Sequence, residues 1–162
     1  HITATKLSGP KKPFQALDGI HLEVDRDGCL VVNAPDITDQ LIYTNDLIEM
    51  YDEKTFNYLG RRDNIINSGG VKISPEVVEH KLAYHIQFPF FIYGIPDKIL
   101  GHKLIMVVEG DKRHFKEAEK QISACENLEK FEVPKVIYFV SKILRNNGKF
   151  MRDKTVSNLK IT

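Results

Sequence analysis

Apolar and polar residues alternate along Ile20-His-Leu-Glu-Val24, the period-two signature of a strand with one buried face. Asp25-Arg-Asp-Gly28 reads as a turn and Cys29-Leu-Val-Val32 as the returning strand, so residues 20–32 predict a β-hairpin. A short strand is predicted over Leu41-Ile-Tyr-Thr44. A second hairpin pairs residues 47–51 with 56–59 across Asp52-Glu-Lys-Thr55. Residues 1–14 are polar and carry Pro10 and Pro13, which reads as irregular loop. Gly60-Arg-Arg-Asp63 interrupts the strand pattern and marks the expected boundary between two domains, residues 1–62 and 63–162.

Beyond that point helices enter the pattern. Asn64-Ile-Ile-Asn67 and Val71-Lys-Ile73 flank Ser68-Gly-Gly70, a small two-stranded feature around a glycine loop. Ser74 at an N-cap with Pro75 at the first helical position predicts a helix over 75–85, with Val78 and Leu82 on one face. Three apolar runs, 88–95, 104–108 and 136–140, read as buried strands. Phe115, Ala118, Ile122 and Cys125 follow helical spacing and predict a helix near 112–125. Arg145-Asn-Asn-Gly148 reads as a loop, and residues 151–160 as a closing helix. The expected fold is α+β: a three-stranded sheet with a two-stranded hairpin and flanking helices, preceded by a β-rich segment.

Composition narrows the function classes. Hydrophobic residues make up 42% of the 162, enough for a packed core. The net charge of +1 and the absence of a polybasic block argue against a nucleic-acid partner. Residues 1–63 carry seven Lys and Arg against eleven Asp and Glu, whereas residues 64–162 carry sixteen against eleven. A basic second half suits an anionic small molecule. Cys29 and Cys125 lack metal-ligand spacing and read as reduced, partly buried thiols; no metal site is expected. No apolar run approaches the roughly 20 residues of a membrane span, and no signal peptide is visible. A cytoplasmic protein is expected, and the start on His1 without an initiator Met reads as cut from something longer. No Ser-His-Asp triad, zinc motif or phosphate-cradling loop is present.

Four stretches carry chemistry together. They are Tyr43-Thr-Asn-Asp46-Leu, the twenty residues from Gly60-Arg-Arg-Asp63 to Glu79, Gly94-Ile-Pro-Asp97 with Leu100-Gly101, and Gly148-Lys149-Phe-Met-Arg152. In this order they resemble the motifs of the acyl-adenylate-forming family, which includes acyl-CoA synthetases, luciferases and peptide-synthetase adenylation domains. The twenty-residue stretch is the specific one; each of the others is weak alone. Shorter matches, His1-Ile-Thr-Ala with Leu7 and Gly9, Phe14-Gln-Ala-Leu with Gly19-Ile20, and Asp27-Gly-Cys-Leu-Val-Val32, are similar to the branch that joins CoA to O-succinylbenzoate in menaquinone biosynthesis.

The resemblance implies that residues 1–62 are the β-rich tail of a large N-terminal domain outside this chain, and that residues 63–162 are a mobile C-terminal domain. It implies ATP with Mg²⁺ and CoA as co-substrates, a small carboxylic acid as partner, and a magnesium contact supplied mainly by the absent domain. Lys149 then corresponds to the catalytic lysine of adenylation. Asp46 and Arg61 correspond to the ribose-binding pair, Asp63 to the hinge, and Ser68, Gly69 and Gly70 to the loop that lines the CoA tunnel. The chain alone is expected to be inactive.

Two positions depart from the family. Asn45 replaces a glycine, so a turn with positive φ is expected there under strain. Arg145-Asn-Asn replaces the usual Pro and Thr or Ser before Gly-Lys. Three readings stay open: an acid–CoA ligase, an adenylation domain loading a carrier protein, or a non-catalytic nucleotide-binding or interaction module. The oligomeric state is not legible.

Overall fold

The alternating segments of the first half pair into one six-stranded antiparallel sheet in a computed structural model of the protein, which describes residues 4–6 and 13–159. Its strands are β1 (Ala4–Lys6), β2 (Phe14–Ala16), β3 (His21–Val24), β4 (Cys29–Asn33), β5 (Ile42–Met50) and β6 (Thr55–Arg61), in the order β1-β2-β6-β5-β4-β3. The turn acid Asp25 sets the first hairpin, its Oδ1 accepting from the backbone N–H of Asp27 (2.9 Å) and Cys29 (2.8 Å). Leu22, Leu30, Val32, Ile48 and Phe56 bury one face of the sheet, and Phe14 stacks on Phe56 at 5.4 Å between ring centroids.

Three sequence expectations change in this unit. Parts of the expected N-terminal loop are strands β1 and β2; residues 1–3 and 7–12 lie outside the described residues. Pairing orders these three-residue strands, which are too short to show a period: β2 joins β6, and β1 joins β2 at the edge of the sheet. The strand at 41–44 and the one at 47–51 are a single strand, β5. A register shift between Leu47 and Ile48 absorbs the interruption that the sequence showed. Finally, β6 runs on to Arg61, so Gly60 and Arg61 stand inside the ladder, and a 3-10 turn at Arg62–Asn64 ends it.

The chain divides into two units, residues 1–65 and 66–162. In the second, β7 (Ile66–Ser68) and β8 (Val71–Ile73) form a hairpin, followed by α1 (Pro75–Leu82), β9 (Phe90–Asp97), β10 (Gly101–Glu109), α2 (Phe115–Ser123), β11 (Val136–Val140), β12 (Arg145–Asn146), β13 (Lys149–Phe150) and α3 (Arg152–Ser157). Ser74 caps α1 by accepting from the Val77 N–H at 3.5 Å. β10 lies at the centre, antiparallel to β9 and parallel to β11, and the β7–β8 hairpin joins it through Ser68 opposite Gly101.

The unbroken apolar runs now have a reason: both faces of this sheet are covered. Leu104, Met106 and Val108 of β10 face one core with α1 and α2, while Ile105 and Val107 face another with Phe91, Ile95, Ile143 and Val156. The three long strands, hairpin and flanking helices make this unit α+β. Cys29 and Cys125 are free and buried. Among the described residues no helix is long and apolar enough to cross a membrane.

Candidate functional site

The β5–β6 register sets Asp46 directly opposite Arg61. The Arg61 guanidinium forks onto Asp63, with Nε 3.0 Å from Oδ1 and Nη2 3.0 Å from Oδ2, and Nη1 reaches Asp46 Oδ1 at 3.3 Å. One cation thus gathers two carboxylates that lie 17 positions apart, and all three side chains remain about a third to a half exposed. Hydrogen bonds from Arg61 hold the Asp63 carboxyl below the usual carboxylate range, and Asp63 in turn raises the Arg61 guanidinium. Thr44 fixes the start of this arrangement: its hydroxyl donates to Leu30 O at 2.8 Å and accepts from Asp46 N–H at 3.1 Å.

Asn45 does not occupy the strained turn expected of it. It lies in extended β5, and among the described residues Asn147 is the sole non-glycine with positive φ. The Asn45 side chain instead accepts from Arg62 Nη2 at 3.2 Å, and Arg62 also pairs with Asp27.

The loop expected at 145–148 is a hairpin. β12 and β13 pair Arg145 with Phe150 and Asn146 with Lys149. Asn147 and Gly148 make the two-residue turn, with φ of +47° and +78°, the positive pair that a type I′ turn requires. An Asn-Gly pair is the strongest short-range signal for such a hairpin, so the sequence carried it. Lys149, the first residue past the turn, is exposed, whereas Phe150 points the other way and packs against Phe91 at 6.0 Å between centroids. Arg145, which replaces the family's usual residues, anchors this hairpin. Its Nη1 lies 2.6 Å from Glu109 Oε2 and 2.9 Å from Ile143 O, and its guanidinium stands 5.0 Å over the Phe150 ring.

The glycine loop turns between β7 and β8, with φ of +61° at Gly69 and +85° at Gly70. Gly69 N–H donates to Leu100 O at 2.8 Å, and a Cβ there would stand 3.3 Å from Leu100 Cδ2; at Gly70 a Cβ would meet nothing within 4 Å. Ser68 is buried, so the surface this loop offers is the backbone of the two glycines. Among the described residues no three His, Cys, Asp or Glu side chains converge as a metal-ligand set.

Comparison with known proteins places this geometry. The chain is 30% identical over 149 residues to the 2-succinylbenzoate–CoA ligase of Bacillus cytotoxicus, a match covering 82% of this chain and 31% of that protein. It is 32% identical to a structure of an AMP-forming acyl-CoA synthetase-like protein from Dyadobacter fermentans, with a TM-score of 0.55 over 96% of this chain and 47% of that one. The chain is a relative of the AMP-forming acid–CoA ligases. It matches their C-terminal part and spans about a third of the length of the B. cytotoxicus ligase. The fold recurs in the O-succinylbenzoate–CoA synthetase of Bacillus subtilis, solved with ATP and magnesium, at a TM-score of 0.70 and 20% identity, over 88% of this chain and 35% of that one. No family model matches the chain.

The tertiary structure brings together two further charged residues outside the expected site. Glu79, at the end of the long motif, and Arg152, at the end of the last one, meet at 2.8 Å. Arg152 also reaches Glu76 at 3.2 Å, and Glu79 Oε1 accepts from the Ile92 N–H at 2.8 Å. Burial outweighs both the guanidinium and this N–H, and pushes the Glu79 carboxyl up to about 7. The available signal was positional: each is a charged residue closing a motif beside apolar neighbours.

Proposed function

We propose that this chain is the C-terminal part of an ATP-dependent acid–CoA ligase, with O-succinylbenzoate as its acid. In the first half-reaction a carboxylate oxygen attacks the α-phosphorus of ATP and pyrophosphate leaves. In the second, the CoA sulfur attacks the acyl carbon of the adenylate, AMP leaves, and the thiol proton passes to solvent or base. Asp46 takes the ribose hydroxyls, Arg61 holds Asp46 in place, and Lys149 stands between the carboxylate and the α-phosphate. There an ammonium offsets the charge that accumulates as one anion approaches another. Asp63 is the hinge about which residues beyond it turn to present the Gly69-Gly70 backbone to the pantetheine arm. ATP brings its magnesium, whose protein ligands belong to a domain upstream of this chain; this chain alone is inactive. We place the enzyme in the cytoplasm.

The observation that carries this reading is the exposed carboxylate–guanidinium cluster of Asp46, Arg61 and Asp63. Among the described residues only Oδ1 of Asp46 takes a hydrogen bond, so its other oxygen fits a ribose hydroxyl. The test is made in the full-length enzyme. Lys149→Ala should lower acyl-adenylate formation by on the order of 10²–10³-fold, as loss of one strong electrostatic donor does, while thioester formation from supplied acyl-adenylate persists. Equal loss of both half-reactions in a folded protein overturns the assignment. A second reading, the same chemistry on another acid, is supported by 34% identity over 94 residues to the 3-oxocholest-4-en-26-oate–CoA ligase of Rhodococcus rhodochrous, a match covering 57% of this chain and 17% of that one. Pyrophosphate exchange with each acid separates the two.

A further inference from the structure

We infer that Arg152 is a positioning residue for Lys149, tying the hairpin that carries the lysine to helix α1 through Glu76 and Glu79. The inference rests on the role proposed above for Lys149. Its basis is local geometry. Two residues, Phe150 and Met151, separate Lys149 from Arg152. Met151 N–H donates to Leu144 O at 2.8 Å, closing the base of the hairpin, and the Thr155 hydroxyl bonds both Met151 O (2.8 Å) and Leu144 N–H (3.2 Å). One end of the hairpin is pinned by Arg145 to Glu109 of β10, the other by Arg152 to α1.

Apolar packing already holds this segment down, since Phe150 and Val156 enter the core around Phe91 and Ile105. The charged clamp therefore adds direction more than burial. A partly buried ion pair is a poor source of net stability compared with apolar residues of the same shape, but its forked hydrogen bonds admit few arrangements. Only Ser74 separates β8 from helix α1, so the glycine hairpin and the lysine hairpin share one mount.

The test uses the full-length enzyme with three variants. Arg152→Met should lower adenylation by on the order of 10²-fold, the scale of a displacement of about 1 Å at a reacting group. It should leave thioester formation from supplied acyl-adenylate within about 3-fold, and speed amide hydrogen exchange in the peptide spanning residues 144–151. Glu79→Gln keeps one of the two acceptor oxygens and leaves Arg152 its bond to Glu76, so it should lower adenylation less than Arg152→Met does. The inference is overturned if Arg152→Met leaves adenylation unchanged, if it lowers both half-reactions alike, or if Glu79→Gln falls as far as Arg152→Met. Lys149→Ala, assayed in parallel, isolates the functional reading. If that variant still adenylates, the catalytic role fails, while the exchange data still decide whether Arg152 orders the hairpin.

Discussion

Two arginines in this protein each hold two carboxylates, and the resemblance ends there. Arg61 draws Asp46 and Asp63 together at a strand end where all three side chains meet water; 43% of the Arg61 side chain is exposed. Arg152 grips Glu76 and Glu79 between a helix and a helix start, and only 21% of its side chain is exposed. Solvent decides what each cluster is good for. An exposed pair contributes little to stability and exchanges partners easily, which suits residues that must turn toward a ligand or yield at a hinge. A shielded pair cannot lose one member without stranding the other's charge, which suits residues that must hold a geometry.

The largest difference between the clusters is expected on deleting the cation. Arg152→Met should destabilise its unit by about 3 kcal/mol in chemical denaturation above pH 7, because two shielded carboxylates lose their partner. The loss should shrink toward pH 5, as Glu79 takes up a proton. A loss that does not change with pH would break the comparison.

A smaller effect comes from titration alone. Glu79 is held up to about 7 against an ordinary value of 4.5, so the native state binds this proton more tightly than the unfolded chain does. Its contribution is full below about 4.5 and is lost as pH rises through about 7. Glu76, Arg152 and the Ile92 N–H are the groups that face it. Denaturation midpoints of the parent should therefore fall over that window relative to Glu79→Gln, and parallel curves would refute the burial effect. Least of all, Arg61→Ala should change stability by no more than about 1 kcal/mol. Weakened AMP binding to the full-length enzyme, read by calorimetry, would mark its cost as functional. A stability loss as large as that of Arg152→Met would erase the distinction between the clusters.

Much of the second unit was legible along the chain. Its long strands are apolar throughout because both faces are covered, and Ser74-Pro75 announces α1 because a helix start needs an acceptor and tolerates a proline. The strand edges of the first unit were less legible. β1 and β2 gain their order from a neighbour, and β5 hides its continuity behind a bulge and behind exposed Ile42 and Tyr43, which blur the alternation. The hairpin at Lys149 reads as a loop despite Asn147-Gly148, because strands of two residues carry no periodicity.

The candidate residues divide along the same line. Motif order alone singled out Asp46, Arg61, Asp63, Ser68, Gly69, Gly70 and Lys149, since glycines at sharp turns and charges at fixed spacing are local requirements. Which charges share a partner is a matter of distance between segments far apart in sequence. Only the packed structure sets Asp46 across a ladder from Arg61, and Arg152, 73 positions from Glu79, within 2.8 Å of it. Burial, too, belongs to the fold: the same two residue types make a yielding contact in water and a fixed one beneath a helix, because the surroundings set the dielectric in which they meet.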